Sequence, residues 1–165
     1  CASTNLHCQD DNRFQYKNSV HLELGGTGGF YSIYYERNII NGTLFKTSGQ
    51  VGFSYLPSRL SDIWLPIGIN EQISFNAHHI EFGIGYVANR EPLVEDGVIV
   101  RRFWSDIITG RLGYRYQKPD GRFVWRIGFT PLLERERLGG LSSDDTNAPF
   151  SIFTPSGGIS IGYTW

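Results

Sequence analysis

The chain is short of several residue types, and each shortage narrows the class of protein. Cysteine occurs only at Cys1 and Cys8, and methionine is missing altogether. No segment approaches the run of about 18 apolar residues that a membrane helix needs, so an α-helical membrane protein is excluded. The formal net charge is -1, from 15 basic and 16 acidic residues. Without a basic excess, we expect no nucleic-acid partner.

The cysteines and the missing methionine bear on how the chain is processed. Numbering begins at Cys1 without an initiator methionine, so we expect a mature chain whose leader was removed during export. In an oxidising compartment, Cys1 and Cys8 could close a small disulfide. Alternatively, Cys1 could carry a lipid anchor. The sequence leaves both alternatives open.

The length of the chain and its abundant residue types favour one folded, strand-rich domain. The chain has 165 residues, enough for a single domain with a substantial core. Hydrophobic residues make up 40% and charged residues 19%, which excludes a disordered chain. Glycine (20 residues) and aromatic residues (15%) are both abundant, which favours strands and turns over helices.

Apolar residues recur with a period of two, which is typical of β-strands. The pattern predicts eight strands, at residues 19–26, 29–37, 43–56, 62–73, 78–89, 103–117, 121–133 and 150–165. The glycine cluster at residues 25–29 can form a tight hairpin turn between the first two. Alternatively, residues 19–37 form one long strand with glycine bends, which leaves seven strands.

The connections between these strands alternate in length. Residues 38–42, 74–77 and 118–121 form short turns, whereas residues 90–102 and 134–149 are long, charged and polar. Counted as antiparallel strands, the short turns and both chain ends fall on one side. This asymmetry is typical of outer-membrane barrels. We therefore predict an all-β, antiparallel up-and-down barrel over residues 19–165, preceded by a periplasmic arm over residues 1–18.

The mixed face of the strands is predicted to line the barrel's interior. It is rich in glycine, which suits the crowded lumen of eight strands. Its charges have both signs and can pair with each other, since an isolated buried charge is too costly to keep. The predicted salt-bridge network comprises Glu23, Glu36, Glu81, Lys46, Arg111, Arg115 and Arg126. We interpret it as filling the lumen rather than as an ion pathway.

The C-terminal strand resembles a known family. Residues 157–165 place apolar side chains at alternate positions and finish in an aromatic residue. In this they resemble the last strand of Gram-negative outer-membrane β-barrels, although the family more often ends in Phe. Residues 20–37, 113–117 and 126–131 also resemble segments of small, mostly uncharacterised members. The resemblance implies a C-terminal assembly signal at Ile159, Ile161, Tyr163 and Trp165.

This resemblance covers residues 19–165 and concerns architecture and location more than activity. It implies an eight-stranded transmembrane barrel in a bacterial outer membrane. The partners it implies are membrane lipid and, during biogenesis, the barrel-assembly machinery. Aromatic residues near the predicted strand ends fit the girdles of such barrels: Tyr35, Tyr55, Tyr86, Trp104, Tyr116 and Trp165.

No motif in the sequence indicates catalysis, a cofactor or a metal. His79 and Glu81 share an inward face and could act in acid-base chemistry, but two such residues are a common coincidence, and we interpret them as ordinary lumen groups. We expect a non-enzymatic protein, either an accessory subunit of a larger outer-membrane complex or a surface interaction protein. The alternatives are a small lipid-modifying enzyme similar to lipid A deacylases, and a soluble lipocalin-like barrel that binds a ligand.

Overall fold

The computed structural model describes residues 12–56, 62–95, 98–135 and 150–165. The β-segments, in chain order, are β1 (Asn18–Gly25), β2 (Tyr31–Asn41), β3 (Phe45–Leu56), β4 (Asp62–Phe75), β5 (His78–Glu95), β6 (Val98–Gln117), β7 (Phe123–Phe129), β8 (Leu132–Arg135), β9 (Phe150–Thr154) and β10 (Gly157–Thr164). A 3-10 turn spans Gly26–Gly28. Within the described ranges, no helix has the length and hydropathy needed to cross a bilayer.

The segments close into a ring of eight antiparallel strands. Each of β1 to β6 pairs with the next, β6 pairs with β7, β7 with β10, and β10 with β1. β8 continues the direction of β7, and β9 leads into β10, so each pair forms one barrel strand. Pro131 and Pro155 stand at these two interruptions, because proline has no N–H to donate to a ladder. The predicted antiparallel eight-stranded barrel is confirmed.

The glycine cluster forms the predicted hairpin turn between β1 and β2. Gly25, Gly26 and Gly29 have φ angles of 74°, 73° and 78°, a region that residues with a side chain rarely adopt. β1 and β2 then pair antiparallel from Leu24 with Tyr31 to Asn18 with Arg37. The alternative of seven strands is therefore wrong.

The barrel has two unlike ends. One, here called the near end, holds Asn18, Trp165 and the turns that join β2 to β3, β4 to β5 and β6 to β7. The other, the far end, holds the glycine turn, the last residues of β3, β5 and β8 and the first residues of β4, β6 and β9. This division matches the sides predicted from the loop lengths.

Most of the long loop predicted over residues 90–102 is strand, and residues 96 and 97 lie outside the described residues. β5 continues to Glu95 and β6 begins at Val98, and the two pair with each other up to Glu95 and Val98, with one register shift between Leu93 and Val94. The charges in this stretch suggested a loop, but a barrel strand needs an apolar outer face only over the roughly 9–11 residues that cross the hydrocarbon. Of the second predicted long loop, residues 136–149 lie outside the described residues.

Polarity is inverted relative to a soluble barrel. Charged and polar side chains such as Glu23, Glu36 and Arg115 are buried, whereas Ile33, Ile161 and many other apolar side chains are exposed. The main buried apolar cluster of the described residues is small, with Val87, Ile107 and Leu132 at its centre. The lumen is therefore a polar core, and the outer surface is the apolar one.

Candidate functional site

The centre of the lumen holds a network of charged side chains contributed by five strands. Glu23 lies on β1, Glu36 on β2, Glu81 on β5, Arg111 and Arg115 on β6, and Arg126 on β7. All six are buried. Each occupies an inward position of the period-two alternation, which is why residues far apart in sequence meet at the barrel axis.

Glu36 bridges two of the arginines. Its Oε1 accepts from Arg115 Nη1 at 2.5 Å, and its Oε2 accepts from Arg126 Nη1 at 2.9 Å. On its other side, Arg115 donates from Nε to Gln117 Oε1 at 2.9 Å. Arg126 donates from Nε to Ser160 Oγ, also at 2.9 Å. These contacts fix both guanidinium planes across the lumen.

Arg111 links the other two carboxylates. Its Nη2 lies 2.9 Å from Glu23 Oε2, and its Nε lies 3.0 Å from Glu81 Oε1. Glu81 Oε2 also lies 3.4 Å from Arg115 Nη1. Three carboxylates thus meet three guanidinium groups, and the formal charges within this set cancel. Such pairing offsets the cost of removing each ion from water.

Lys46, the seventh residue of the predicted network, is also buried in the lumen. Its Nζ donates to Ser74 Oγ at 2.6 Å. It also lies 4.6 Å from the centre of the Phe14 ring, a distance suited to a cation–π contact. These contacts place Lys46 beside a segment that the strand pattern did not include.

That segment is residues 12–17, which cross the near end and seal it. Phe14 is 3% exposed. Its ring lies edge-on to His79 with centroids 5.1 Å apart, and 5.7 Å from Arg115 Cζ. An aromatic ring among cationic groups is held by its electron-rich faces as well as by packing. Phe14 therefore acts as a stopper for the near end of the lumen.

Backbone and side-chain hydrogen bonds hold residues 12–17 in place. Asn41 accepts from the Phe14 N–H at 3.0 Å and donates to the Phe14 carbonyl at 2.7 Å. The Gln15 N–H donates to the Pro119 carbonyl at 2.8 Å, and the Lys17 carbonyl accepts from Asn38 at 2.7 Å. The segment is thus fastened to the turns on both sides of the near end.

The sequence prediction treated residues 1–16 as a polar arm and missed this stopper. Within the described residues 12–17, Phe14 and Tyr16 stand out among polar neighbours, a signal that could have marked a docking point. Period-two reasoning cannot find it, because the segment forms no strand. Cys1 and Cys8 lie outside the described residues.

The lumen histidines make structural contacts. His21 Nε2 lies 2.8 Å from Ser19 Oγ and 3.8 Å from Glu36 Oε2. A Ser-His-Glu triad would use the two ring nitrogens separately, whereas here both groups face the same one. His79 contacts Ser74 Oγ at 2.8 Å through Nδ1 and the Gln117 carbonyl at 2.9 Å through Nε2.

Close packing fills much of the remaining lumen. The Tyr34 ring is fully buried and its hydroxyl bonds to Thr27. A Cβ on Gly52 would lie 2.5 Å from that ring, so glycine is needed there. A cavity of about 10 Å³, room for about one water molecule, is lined by Asn70 and Arg111, among others.

The C-terminal strand closes the barrel and presents its apolar residues outward. β10 pairs with β1 on one side and β7 on the other. Its predicted signal residues Ile159, Ile161, Tyr163 and Trp165 are all exposed, whereas Ser160 is buried. The predicted girdle residues Tyr35, Tyr55, Tyr86 and Trp104 are likewise exposed on the outer surface.

Comparison with known proteins identifies the fold. No protein-family description and no curated protein matches the sequence. The N-terminal β-barrel domain of OprF from Pseudomonas aeruginosa is similar with a TM-score of 0.56 and 10% identity, over 92% of this chain and 100% of that domain. Neisserial surface protein A (NspA) gives a TM-score of 0.49 and 10% identity, over 90% of this chain and 93% of NspA.

Identity at this level concerns the fold alone. The closed ring of eight antiparallel strands, the unlike ends and the OprF likeness agree with each other. The chain has the fold of the small eight-stranded outer-membrane β-barrels, and the resemblance noted in the sequence is confirmed.

Proposed function

We propose that the protein resides in a bacterial outer membrane as a non-enzymatic barrel with a filled lumen. It serves as a structural or accessory subunit of a larger assembly, or as a surface interaction protein. The observation that carries the proposal is the neutral network of three carboxylates and three arginines at the barrel axis. A lumen occupied in this way transports nothing, so the protein acts through its outer surface and its ends.

The exterior supports insertion in a bilayer. Outward side chains on neighbouring strands are large and apolar, among them Leu22 on β1, Ile33 on β2 and Ile161 on β10. Such a surface is costly in water, where monomeric proteins rarely expose large apolar patches. The opposite arrangement would be needed for a soluble, lipocalin-like barrel, whose apolar side chains face an internal cavity.

The histidine contacts support a non-catalytic role. A lipid-modifying enzyme needs a base and a nucleophile that reach a substrate at the lipid-facing rim. His21 and His79 are instead buried in the lumen, at 0% and 1% exposure, and Phe14 packs against His79. These positions favour a hydrogen-bonding role for both residues.

Gentle detergent extraction of native membranes, followed by sizing and mass spectrometry, tests the proposal. We expect the protein in the outer-membrane fraction as a heat-modifiable barrel that gives no ion conductance in planar bilayers. A complex of defined size supports the subunit role, and a barrel isolated alone directs attention to surface interaction. Recovery in the soluble fraction, steady conductance, or hydrolysis of lipid A by the purified protein would contradict the proposal.

A further inference from the structure

One face of the outer surface does not follow the polarity of a bilayer. It is formed by the near-end halves of β2, β3 and β4 and is here called the β2–β4 face. Three outward polar residues cross it, one on each strand: Arg37 on β2, Thr47 on β3 and Glu71 on β4. The Thr47 hydroxyl donates to Glu71 Oε1 at 2.7 Å. Arg37 is exposed and makes no ion pair with any described residue.

Apolar residues lie on both sides of this polar stripe. Toward the middle of the barrel, the outward residues include Ile33, Val51 and Ile69, all exposed. Toward the near end, the exposed residues again include large apolar ones: Ile39, Ile40, Leu44, Phe45 and Phe75. The stripe therefore separates two apolar bands.

No depth of the β2–β4 face in a lipid bilayer suits both its charged and its apolar residues. If Ile40, Phe45 and Phe75 are immersed in the hydrocarbon, Arg37 and Glu71 are immersed as well, and a lipid-facing arginine costs about 2–4 kcal/mol at the bilayer midplane. If the charges lie at the membrane boundary, the apolar near-end band stands in water. A protein partner can cover the apolar bands and pair with the charges, which satisfies both groups.

Strand β10, which is separated from β2 only by β1, has no such conflict. On β10, the apolar Ile159 and Ile161 are followed toward the near end by Tyr163 and Trp165. This is the ordinary order of hydrocarbon and aromatic boundary. The mismatch of the β2–β4 face is thus absent from β10.

The stripe is complementary to a second copy of itself. In the strand register, Arg37 of β2 lies opposite Gly49 of β3, and Gly49 lies opposite Ile69 of β4. In a tilted barrel, paired positions lie farther from the near end with each step from β2 to β3 to β4. Glu71 is two residues closer to the near end than Ile69, so it lies at nearly the same depth as Arg37. The small residues Thr47 and Gly49 lie between the two charges.

Two copies in the same membrane orientation are related by a two-fold axis along the membrane normal. Such an axis beside Thr47 sets Arg37 of each copy against Glu71 of the other, as an isologous interface requires. The apolar bands on either side of the stripe in one copy then pack against the same bands of the other copy. We propose that the β2–β4 face is the interface of a homodimer. This inference rests on the proposed location in the outer membrane.

A charge-exchange series on the full-length protein tests this interface. The variants are Arg37→Glu, Glu71→Arg and the double exchange, and dimer dissociation is measured in detergent and in lipid vesicles. Each single exchange sets like charges together, so we expect the dissociation constant to rise at least about tenfold. The double exchange restores opposite charges and should return the constant to within about threefold of the original value. Lys118→Glu, on an exposed near-end turn away from this face, is the matched control and should leave the dimer unchanged.

Disulfide cross-linking in native membranes supplies a second readout. With Cys1 and Cys8 replaced by serine, Thr47→Cys should form a disulfide-linked dimer and Ile161→Cys, on β10 and outside this face, should not. A folded, membrane-inserted monomer overturns the homodimer and leaves the proposed function standing. The homodimer is also overturned if neither single exchange changes the dissociation constant, or if Thr47→Cys cross-links to a different protein. Absence from the membrane overturns both proposals together.

Discussion

At the scale of single residues, each charge in the lumen depends on a partner that is equally buried. Glu36 is 1% exposed and accepts from both Arg115 and Arg126. Removing one member of such a set leaves the remaining charges uncompensated in a place that water reaches poorly. A buried ion pair adds little when intact, but breaking one is costly.

Glu36→Ala should therefore lower the free energy of unfolding by about 3–5 kcal/mol. The loss is measurable by urea titration in lipid vesicles, followed by tryptophan fluorescence. Asp120→Ala removes an exposed carboxylate from the β6–β7 turn and should change stability by less than about 0.5 kcal/mol. Equal losses of unfolding free energy in the two variants would show that the buried network does not contribute more to stability than an exposed carboxylate.

The sequence could predict which residues enter the lumen, but not how they pair. Alternation alone places Glu23, Glu36 and Arg126 on the inward face, because side-chain direction has a strict period of two. Their pairing depends on strand tilt and register around a closed ring, which alternation within a single strand does not encode. Lys46 illustrates the limit, since the side-chain contacts that surround it include Ser74 and the unpredicted Phe14.

At the scale of elements, the near end depends on a segment with no regular structure. Residues 12–17 use the side chain of Asn41 and the carbonyl of Pro119 to satisfy backbone N–H groups that a strand would pair in a ladder. Its anchor is one ring, Phe14, placed among Lys46, His79 and Arg115. Local sequence rules address ladders and turns, so they do not detect a stopper of this kind.

Phe14→Ala should lower the free energy of unfolding by about 3 kcal/mol, because it removes a buried aromatic ring and leaves a cavity. Hydrogen exchange at the backbone amides of Asn38 and Gln117 should also become faster. Phe30→Ala, which truncates a ring that is 76% exposed at the far end, is the matched control and should leave these amides unchanged. Unaltered exchange in Phe14→Ala would mean that the ring does not close the lumen.

The extended β5–β6 pair shows a second limit at this scale. Its charged residues were interpreted as a loop, yet Arg90 pairs with Trp104 and Pro92 with Arg102 in continuous register. Only the part of a barrel strand inside the hydrocarbon needs an apolar outer face, about 9–11 residues. Polarity therefore marks where a strand leaves the apolar layer and does not mark where it ends.

At the scale of the whole molecule, inverted polarity is the property that unites the fold and the proposed function. The same alternation that puts Ser160 against Arg126 inside the barrel puts Ile161 outside it. The overall architecture could be predicted because this alternation persists through all eight strands. The role of the barrel could not, because one fold supports many functions.

The most direct test of the account compares two adjacent residues of β10 in the outer membrane. Ile161→Arg places a charge on the apolar exterior, at a cost of about 2–4 kcal/mol near the bilayer midplane. We expect it to block assembly, measured as loss of the heat-modifiable band from the outer-membrane fraction. Ile161→Phe controls for size and should assemble normally, and Ser160→Ala, which removes one lumen hydrogen bond, should be milder than Ile161→Arg. Equal tolerance of Ile161→Arg and Ser160→Ala would contradict the membrane orientation.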